Sequence, residues 1–230
     1  MLQPAEWHWL RQVAFAGPTR FKMPGPDRML LYALAIQTGL RSDELRSLTP
    51  GRLYLQGERP YVVCMARSTK NKQDARLYVT TDLAVELQRH IRSASPAAPL
   101  FEMPSPSNVS RMFGKDLEEA RTKWLNTSAG PDERRQRERG DFLARTNHNG
   151  EVADFHALRH TCGVWLSMSG VHPKVVQTVM RHSSITLTMD TYGHLFPGQD
   201  ADVVAGMPSM FAPPPERLAT TEADDTPDDS

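Results

Sequence analysis

Cysteine is scarce in this sequence, long apolar runs are missing, and neither sign of charge dominates. Cys64 and Cys162 are the two cysteines in 230 residues. They form no CxxC pair and no multi-cysteine framework, so reduced thiols in a cytosolic protein are expected rather than a disulfide scaffold. No apolar stretch approaches the roughly 20 residues that a helix needs to cross a bilayer. The opening residues, MLQPAEWHWLRQ, lack the basic start and apolar stretch of a secretory signal. No Walker A loop and no carboxylate cluster spaced for a metal is visible, so neither a cofactor nor a metal is expected.

The zero net charge hides an asymmetry. Lys+Arg and Asp+Glu each number 27. Residues 213–230 (PPPERLATTEADDTPDDS) carry six acids against one base, Arg217, which leaves residues 1–212 at a net +5. A mildly basic body with an acidic tail is compatible with nucleic-acid binding, although charge alone does not establish it. At 39% hydrophobic and 23% charged residues, the body has the composition of a globular protein with a proper core. The proline-rich acidic tail is expected to be disordered.

Proline and glycine punctuation divides the body. Residues 4–16 read as a helix closed by Gly17-Pro18. Residues 26–38 (PDRMLLYALAIQT) form a strongly apolar helix, ended by Gly39 as a C-terminal cap. Ser42 opens a short helix through Leu48, stopped by Pro50. From 51 to 80 the period changes: RLYL, YVVCMAR and ARLYVT are β-type runs, read as a small antiparallel sheet. Helices follow at about 81–93 and 107–125. Residues 126–150 have no apolar period and are dense in charge and turn formers. They read first as a solvated or mobile loop, and second as a segment whose Arg134, Arg135, Arg137 and Arg139 touch phosphates. Three helices close the body, at about 155–169, 173–181 and 184–195. The class is mainly α (α+β), one domain over 1–212 with a three-stranded antiparallel sheet.

Four segments carry chemistry when read together. TGLRSDEL (38–45) places Arg41 just past a helix end and Glu44 three residues on. STKNKQDAR (68–76) offers Lys70 and Lys72 in a turn between two strands. FHALRH (155–160) puts His156 and Arg159 on one helix face. MRHSSITLTMDTYGHLFP (180–197) separates His182 from Tyr192 by one turn and most of a helix. In-line displacement at a phosphodiester builds negative charge on the non-bridging oxygens, and two arginines match those oxygens with planar forks that keep their charge. A phenol, with a pKa of about 10, needs cations or a base beside it to act as nucleophile. The departing sugar alkoxide needs a proton, which a lysine on a turn can deliver.

The ordered set Arg, Lys, His-x-x-Arg, His, Tyr resembles the tyrosine recombinase (phage integrase) family over about residues 4 to 196. The resemblance implies the helical catalytic domain of the DNA breaking-rejoining type. It implies that Arg41 and Arg159 clamp the scissile phosphate, that Lys70 is the general acid, that His156 and His182 assist, and that Tyr192 forms a 3′-phosphotyrosyl link. Lys70 is preferred over Lys72 because its place after Ser68-Thr69 is similar to the family's turn. The implied activity is site-specific integration, excision or resolution of a mobile element. The implied partners are double-stranded DNA, three further copies in a tetramer assembled on it, and accessory DNA-bending proteins, with no membrane. The implied location is cytoplasmic and nucleoid-associated. Two departures stand out: Arg181 replaces the glycine usual before the second histidine, and the family's N-terminal DNA-clamping helical domain is absent from this chain.

Taken singly, these residues have plainer readings. Arg41 would be a surface residue at a helix start, either lysine an exposed hairpin residue, and Tyr192 a half-buried packing residue. Glu44 reads as a partner that orients Arg41 or caps its loop, His160 as a hydrogen-bond partner behind the first rank, and His172 as a helix cap. Trp124, Trp165 and Cys162 fall within helical apolar periods and read as packing. Two rival functions remain at this point. A type IB topoisomerase would relax supercoils by similar chemistry, and a non-catalytic DNA-binding remnant would bind DNA without a covalent adduct.

Overall fold

A computed structural model of the protein describes residues 1–65 and 74–196. Lys70, Lys72 and the tail from Pro213 therefore lie outside the described residues. The helices are α1 (Pro4–Ala16), α2 (Gly25–Thr38), α3 (Ser42–Arg46), α4 (Thr81–His90), α5 (Pro106–Asn126), α6 (Pro131–Arg139), α7 (Ala157–Met168), α8 (Pro173–Met180) and α9 (Ile185–Tyr192). The strands are β1 (Leu53–Tyr54), β2 (Tyr61–Cys64) and β3 (Ala75–Tyr78). They form an antiparallel sheet in the order β1-β2-β3, with Tyr54 facing Tyr61 and Tyr61 facing Tyr78 in register. Mainly helical with one small antiparallel sheet is the class the sequence implies. No helix among the described residues is long and apolar enough to cross a membrane.

α2 is the centre of the packing. Leu30, Leu31, Tyr32, Leu34, Ala35 and Ile36 are all buried, which wraps this helix in apolar contact on every side. α1, α4 and α7 pack around it. Its C-terminus stops at Gly39, whose φ of 59° and ψ of 21° are left-handed and whose N–H donates to the Ala35 carbonyl at 2.9 Å. Glycine is required there twice over. The left-handed backbone disfavours a side chain, and a Cβ would stand 3.0 Å from Met180 Sδ and 3.3 Å from Cys162 Sγ. The missing side chain leaves room for Cys162 of α7 and Met180 of α8 against the end of α2.

One buried ionic network pins α1, α2 and α5. Asp116, fully buried on α5, accepts from Arg28 Nε (2.8 Å), Arg20 Nε (2.8 Å) and the Tyr32 hydroxyl (2.8 Å). The wholly buried Arg28 also donates to the carbonyls of Pro18 (2.7 Å) and Met23 (3.0 Å). A buried charge is tolerated when paired and hydrogen-bonded in this way. Burial, with Asp116 alongside, holds the Tyr32 hydroxyl well above its ordinary pKa.

Residues 126–150 depart from the loop expected. Nine of them form α6, which buries nothing and is stabilised along its own surface. Arg134 pairs with Glu138 at 2.9 Å and Arg137 with Glu133 at 2.6 Å, both four residues apart, and Arg135 pairs with Asp132. Arg121 of α5 secures its exit by donating to the carbonyls of Glu138 (3.0 Å) and Gly140 (2.9 Å). Beyond it Leu143 is buried, with its N–H donating to Glu6 Oε1 at 2.6 Å. A helix with no apolar stripe gives no period to read, which is why the sequence hides it.

Candidate active site

Arg159 is the anchor. It lies on α7, 4% exposed, and its guanidinium donates from Nη1 to the Gly39 carbonyl and from Nη2 to the Met180 carbonyl. Both acceptors stand at helix C-termini, where unpaired carbonyls favour a cation. Burial first, then the neighbouring Arg41 and Arg181, pull its pKa down to about 10, so it stays charged at neutral pH.

Glu44 gathers the other two arginines. It is 2% exposed and accepts from the Arg41 backbone N–H at 2.7 Å, which makes it the cap of α3. It also receives Arg41 Nη1 at 3.3 Å and Arg181 Nη2 at 2.6 Å. Arg41 remains a third exposed and available to a ligand. The Arg181 side chain is 7% exposed, and the residue's φ of 53° and ψ of 44° are left-handed. The position usually given to glycine is thus held here by an arginine whose side chain is tied to Glu44. Its Nε is buried with no hydrogen-bond partner among the described residues. Two guanidiniums thus pair with one carboxylate and a third, Arg159, lies within its electrostatic reach, leaving a strongly positive locality.

Three histidines line this locality. His156, at the N-terminus of α7, meets His160 edge to face with ring centroids 4.9 Å apart. His182 follows Arg181, and its Nδ1 is 3.0 Å from Thr188 Oγ1 on α9. Burial, with the nearby Arg159 and Arg41, brings His182 down to about 4; His156 is lowered by burial and Arg159, and His160 by burial and His156. All three rings are consequently neutral near pH 7.

Tyr192 is 2% exposed, at the end of α9. Its ring lies parallel to that of His182, centroids 6.2 Å apart, and its hydroxyl is 3.4 Å from His160 Nδ1. Burial raises the phenol's pKa, and Arg159 opposes that rise. The structure thus places Arg41, His156, Arg159, His182 and Tyr192 around one locality, although about 150 residues separate the first from the last. They do not all face the same opening. Arg41, Arg181 and His182 line a hollow of about 970 Å³ between β3 and α8, whereas His156 and Arg159 line a smaller one of about 180 Å³ beside Ser42. Tyr192 lines neither.

The sequence model of the phage integrase family matches residues 21–198. The chain belongs to that family. A curated protein of Caldanaerobacter subterraneus subsp. tengcongensis, described as tyrosine recombinase XerC-like, is 37% identical over 57 residues, which is 25% of this chain and 15% of that protein. Among solved structures, the catalytic domain of bacteriophage HP1 integrase is similar at a TM-score of 0.58 and 18% identity, over 90% of this chain and 95% of that one. Tn1549 transposon integrase bound to transposon right end DNA is similar at 0.57 and 17%, over 89% and 64%. XerH recombinase bound to its difH substrate is similar at 0.59 and 13%, over 90% and 53%. This phage integrase family chain therefore shares the fold of the HP1 integrase catalytic domain, and its match spans 15% of the curated relative.

Sequence reasoning assigned no role to three residues of this arrangement. Gly163 leaves room for the Tyr192 ring, Thr188 bonds His182, and Arg181 completes the Glu44 cluster. Only Arg181 left a signal in the sequence, as a departure from the family's glycine.

Proposed function

We propose that this chain is the catalytic domain of a site-specific DNA recombinase that cleaves and rejoins DNA through a 3′-phosphotyrosyl bond at Tyr192. The observation that carries this reading is the placement of the Tyr192 phenol against His160 and His182 in the field of the Arg159 guanidinium. Arg41 and Arg159 receive the scissile phosphate, and their charge offsets the negative charge that develops in the transition state. His156 and His182, being neutral, each donate one ring N–H to its oxygens. Lys70 protonates the leaving 5′ oxygen. Rejoining reverses the same steps, because the phosphotyrosyl bond keeps the energy of the bond that was broken.

Double-stranded DNA is the substrate, and four copies assembled on it cut four strands in a coordinated way, with DNA-bending proteins as further partners. The setting is the nucleoid of the cytoplasm. Residues 1–212 act as the catalytic unit, with 213–230 as a tail. The test is a pool of nicked duplexes tiling the DNA on both sides of the protein's own gene. A nick near the cleaved bond lets the short product diffuse away and traps the adduct. The wild-type chain should give a protein–DNA band that survives denaturing electrophoresis, and Tyr192→Phe should not. A band that persists in Tyr192→Phe refutes the assignment, and a supercoil-relaxing activity that needs no paired sites favours the topoisomerase reading.

A further inference from the structure

Thr188 is wholly buried on α9, and its hydroxyl is committed in an unusual way. Other helical threonines of this protein return their hydroxyl proton to the carbonyl four residues earlier, as Thr38, Thr122, Thr161, Thr178 and Thr191 do at 2.5 to 2.9 Å. Thr188 instead meets the ring of His182, with Oγ1 3.0 Å from Nδ1. That ring has little freedom left. The His182 N–H donates to the Gln177 carbonyl at 3.1 Å, and Gln177 Nε2 donates back to the His182 carbonyl at 3.2 Å. One face of the ring lies parallel to Tyr192, 6° from coplanar orientation. The backbone is thereby held by Gln177 and the ring plane lies along Tyr192, while the Thr188 hydroxyl faces Nδ1.

A neutral imidazole has one N–H and one bare nitrogen, and the partner of one nitrogen decides the state of the other. Burial and the surrounding guanidiniums keep His182 neutral, so the placing of its single proton is what decides whether it can donate. We propose that Thr188 is a positioning residue of this site: its hydroxyl donates to His182 Nδ1, fixes the Nε2–H tautomer, and leaves that N–H as the donor to a phosphate in the hollow lined by His182, Arg41 and Arg181. The phosphate role rests on the recombinase reading above; the tautomer does not. An Nδ1–H tautomer would present a bare nitrogen lone pair to an anion, which repels it.

The test pairs a readout of the proton with a readout of the reaction. Thr188→Val keeps the shape and removes the hydroxyl from an enclosed position, so the fold is retained; Thr188→Ser keeps the hydroxyl. In ¹⁵N-histidine-labelled protein near pH 7.5, long-range ¹H–¹⁵N spectra should show His182 of the wild type and of Thr188→Ser protonated at Nε2 and bare at Nδ1. Thr188→Val should show a mixture of both tautomers. Adduct formation on the trapped duplex should slow about tenfold in Thr188→Val, as loss of one neutral hydrogen bond implies, with DNA affinity nearly unchanged and with recovery in Thr188→Ser. A wild-type His182 protonated at Nδ1, or a Thr188→Val spectrum like the wild type, overturns the inference whatever the rates. If the tautomers behave as stated but Tyr192→Phe still forms the adduct, the function reading fails and the Thr188 lock stands.

Discussion

The Tyr192 phenol occupies the space that a side chain at Gly163 would need. A Cβ at Gly163 would stand 2.3 Å from Tyr192 Cζ and 2.5 Å from its hydroxyl oxygen. Gly163 lies in the middle of α7, where glycine ordinarily costs stability relative to alanine. Its presence there is explained by the ring above it.

Gly163→Ala is therefore expected to act against helix propensity. Propensity alone would stabilise α7 by up to about 1 kcal/mol. Overpacking against a ring that is 2% exposed should cost roughly 1–3 kcal/mol and win. Urea titration should show a lower midpoint, and the trapped adduct should form more slowly because the phenol is displaced. A higher midpoint with unchanged adduct formation would mean that the ring moves aside freely.

Arg181 poses the opposite trade. Its left-handed backbone costs about 1–2 kcal/mol for any residue with a Cβ, which Arg181→Gly would recover. The same change removes one of the two cations on the buried Glu44, a loss of up to about 3–5 kcal/mol, reduced here because Arg41 remains. The net expectation is a destabilisation of about 1–3 kcal/mol by equilibrium unfolding. Glu44→Gln in the Arg181→Gly background should add less than it does alone, since the two residues share one interaction. Additive losses would show that Arg181 and Glu44 act separately.

Those two residues mark the boundary of what the sequence disclosed. Gly39, the apolar run before it, and the switch of period at 51–80 made α2, its end and the sheet legible, because glycine caps and apolar periodicity are local signals. α6 was not legible: PDERRQRER has no apolar face, and its stabilising pairs are polar contacts at four-residue spacing that a charged loop could also contain. Arg41, His156, Arg159, His182 and Tyr192 could be singled out by order and residue type. What holds them could not be, since the carbonyls of Gly39 and Met180 and the room above Gly163 arise from tertiary packing.

Stability should fall in mild acid. His182 titrates near 6.5 when unfolded and at about 4 when folded, held down by burial and by Arg159, Arg41, His160 and Arg181 around it. Its folded pKa is depressed, so the unfolded chain binds the extra proton between those values. The stability contributed is complete above about pH 6.5 and is lost as pH falls towards 4. His156 and His160 are lowered in the same direction. Thermal melts across pH 4 to 7 should show a falling midpoint on the acid side, with a shallower fall in His182→Gln. An equally steep fall in that variant would place the titration elsewhere.

The leaving-group proton can be assigned between Lys70 and Lys72 with one altered substrate. Lys70 and Lys72 both lie between β2 and β3, outside the described residues, and differ by two positions in a stretch with no periodic signal. A general acid contributes about 10²–10⁴-fold to such a step, far more than a single exposed phosphate contact. A duplex with sulfur at the 5′ bridging position removes the need, because a thiolate leaves without a proton. Lys70→Ala should cut normal DNA slowly, bind it nearly as the wild type does, and regain most of its rate on the sulfur substrate. Lys72→Ala should resemble the wild type on both. Rescue of Lys72→Ala in place of Lys70→Ala would exchange the roles. Rescue of neither would reduce both lysines to phosphate contacts and place the general acid elsewhere.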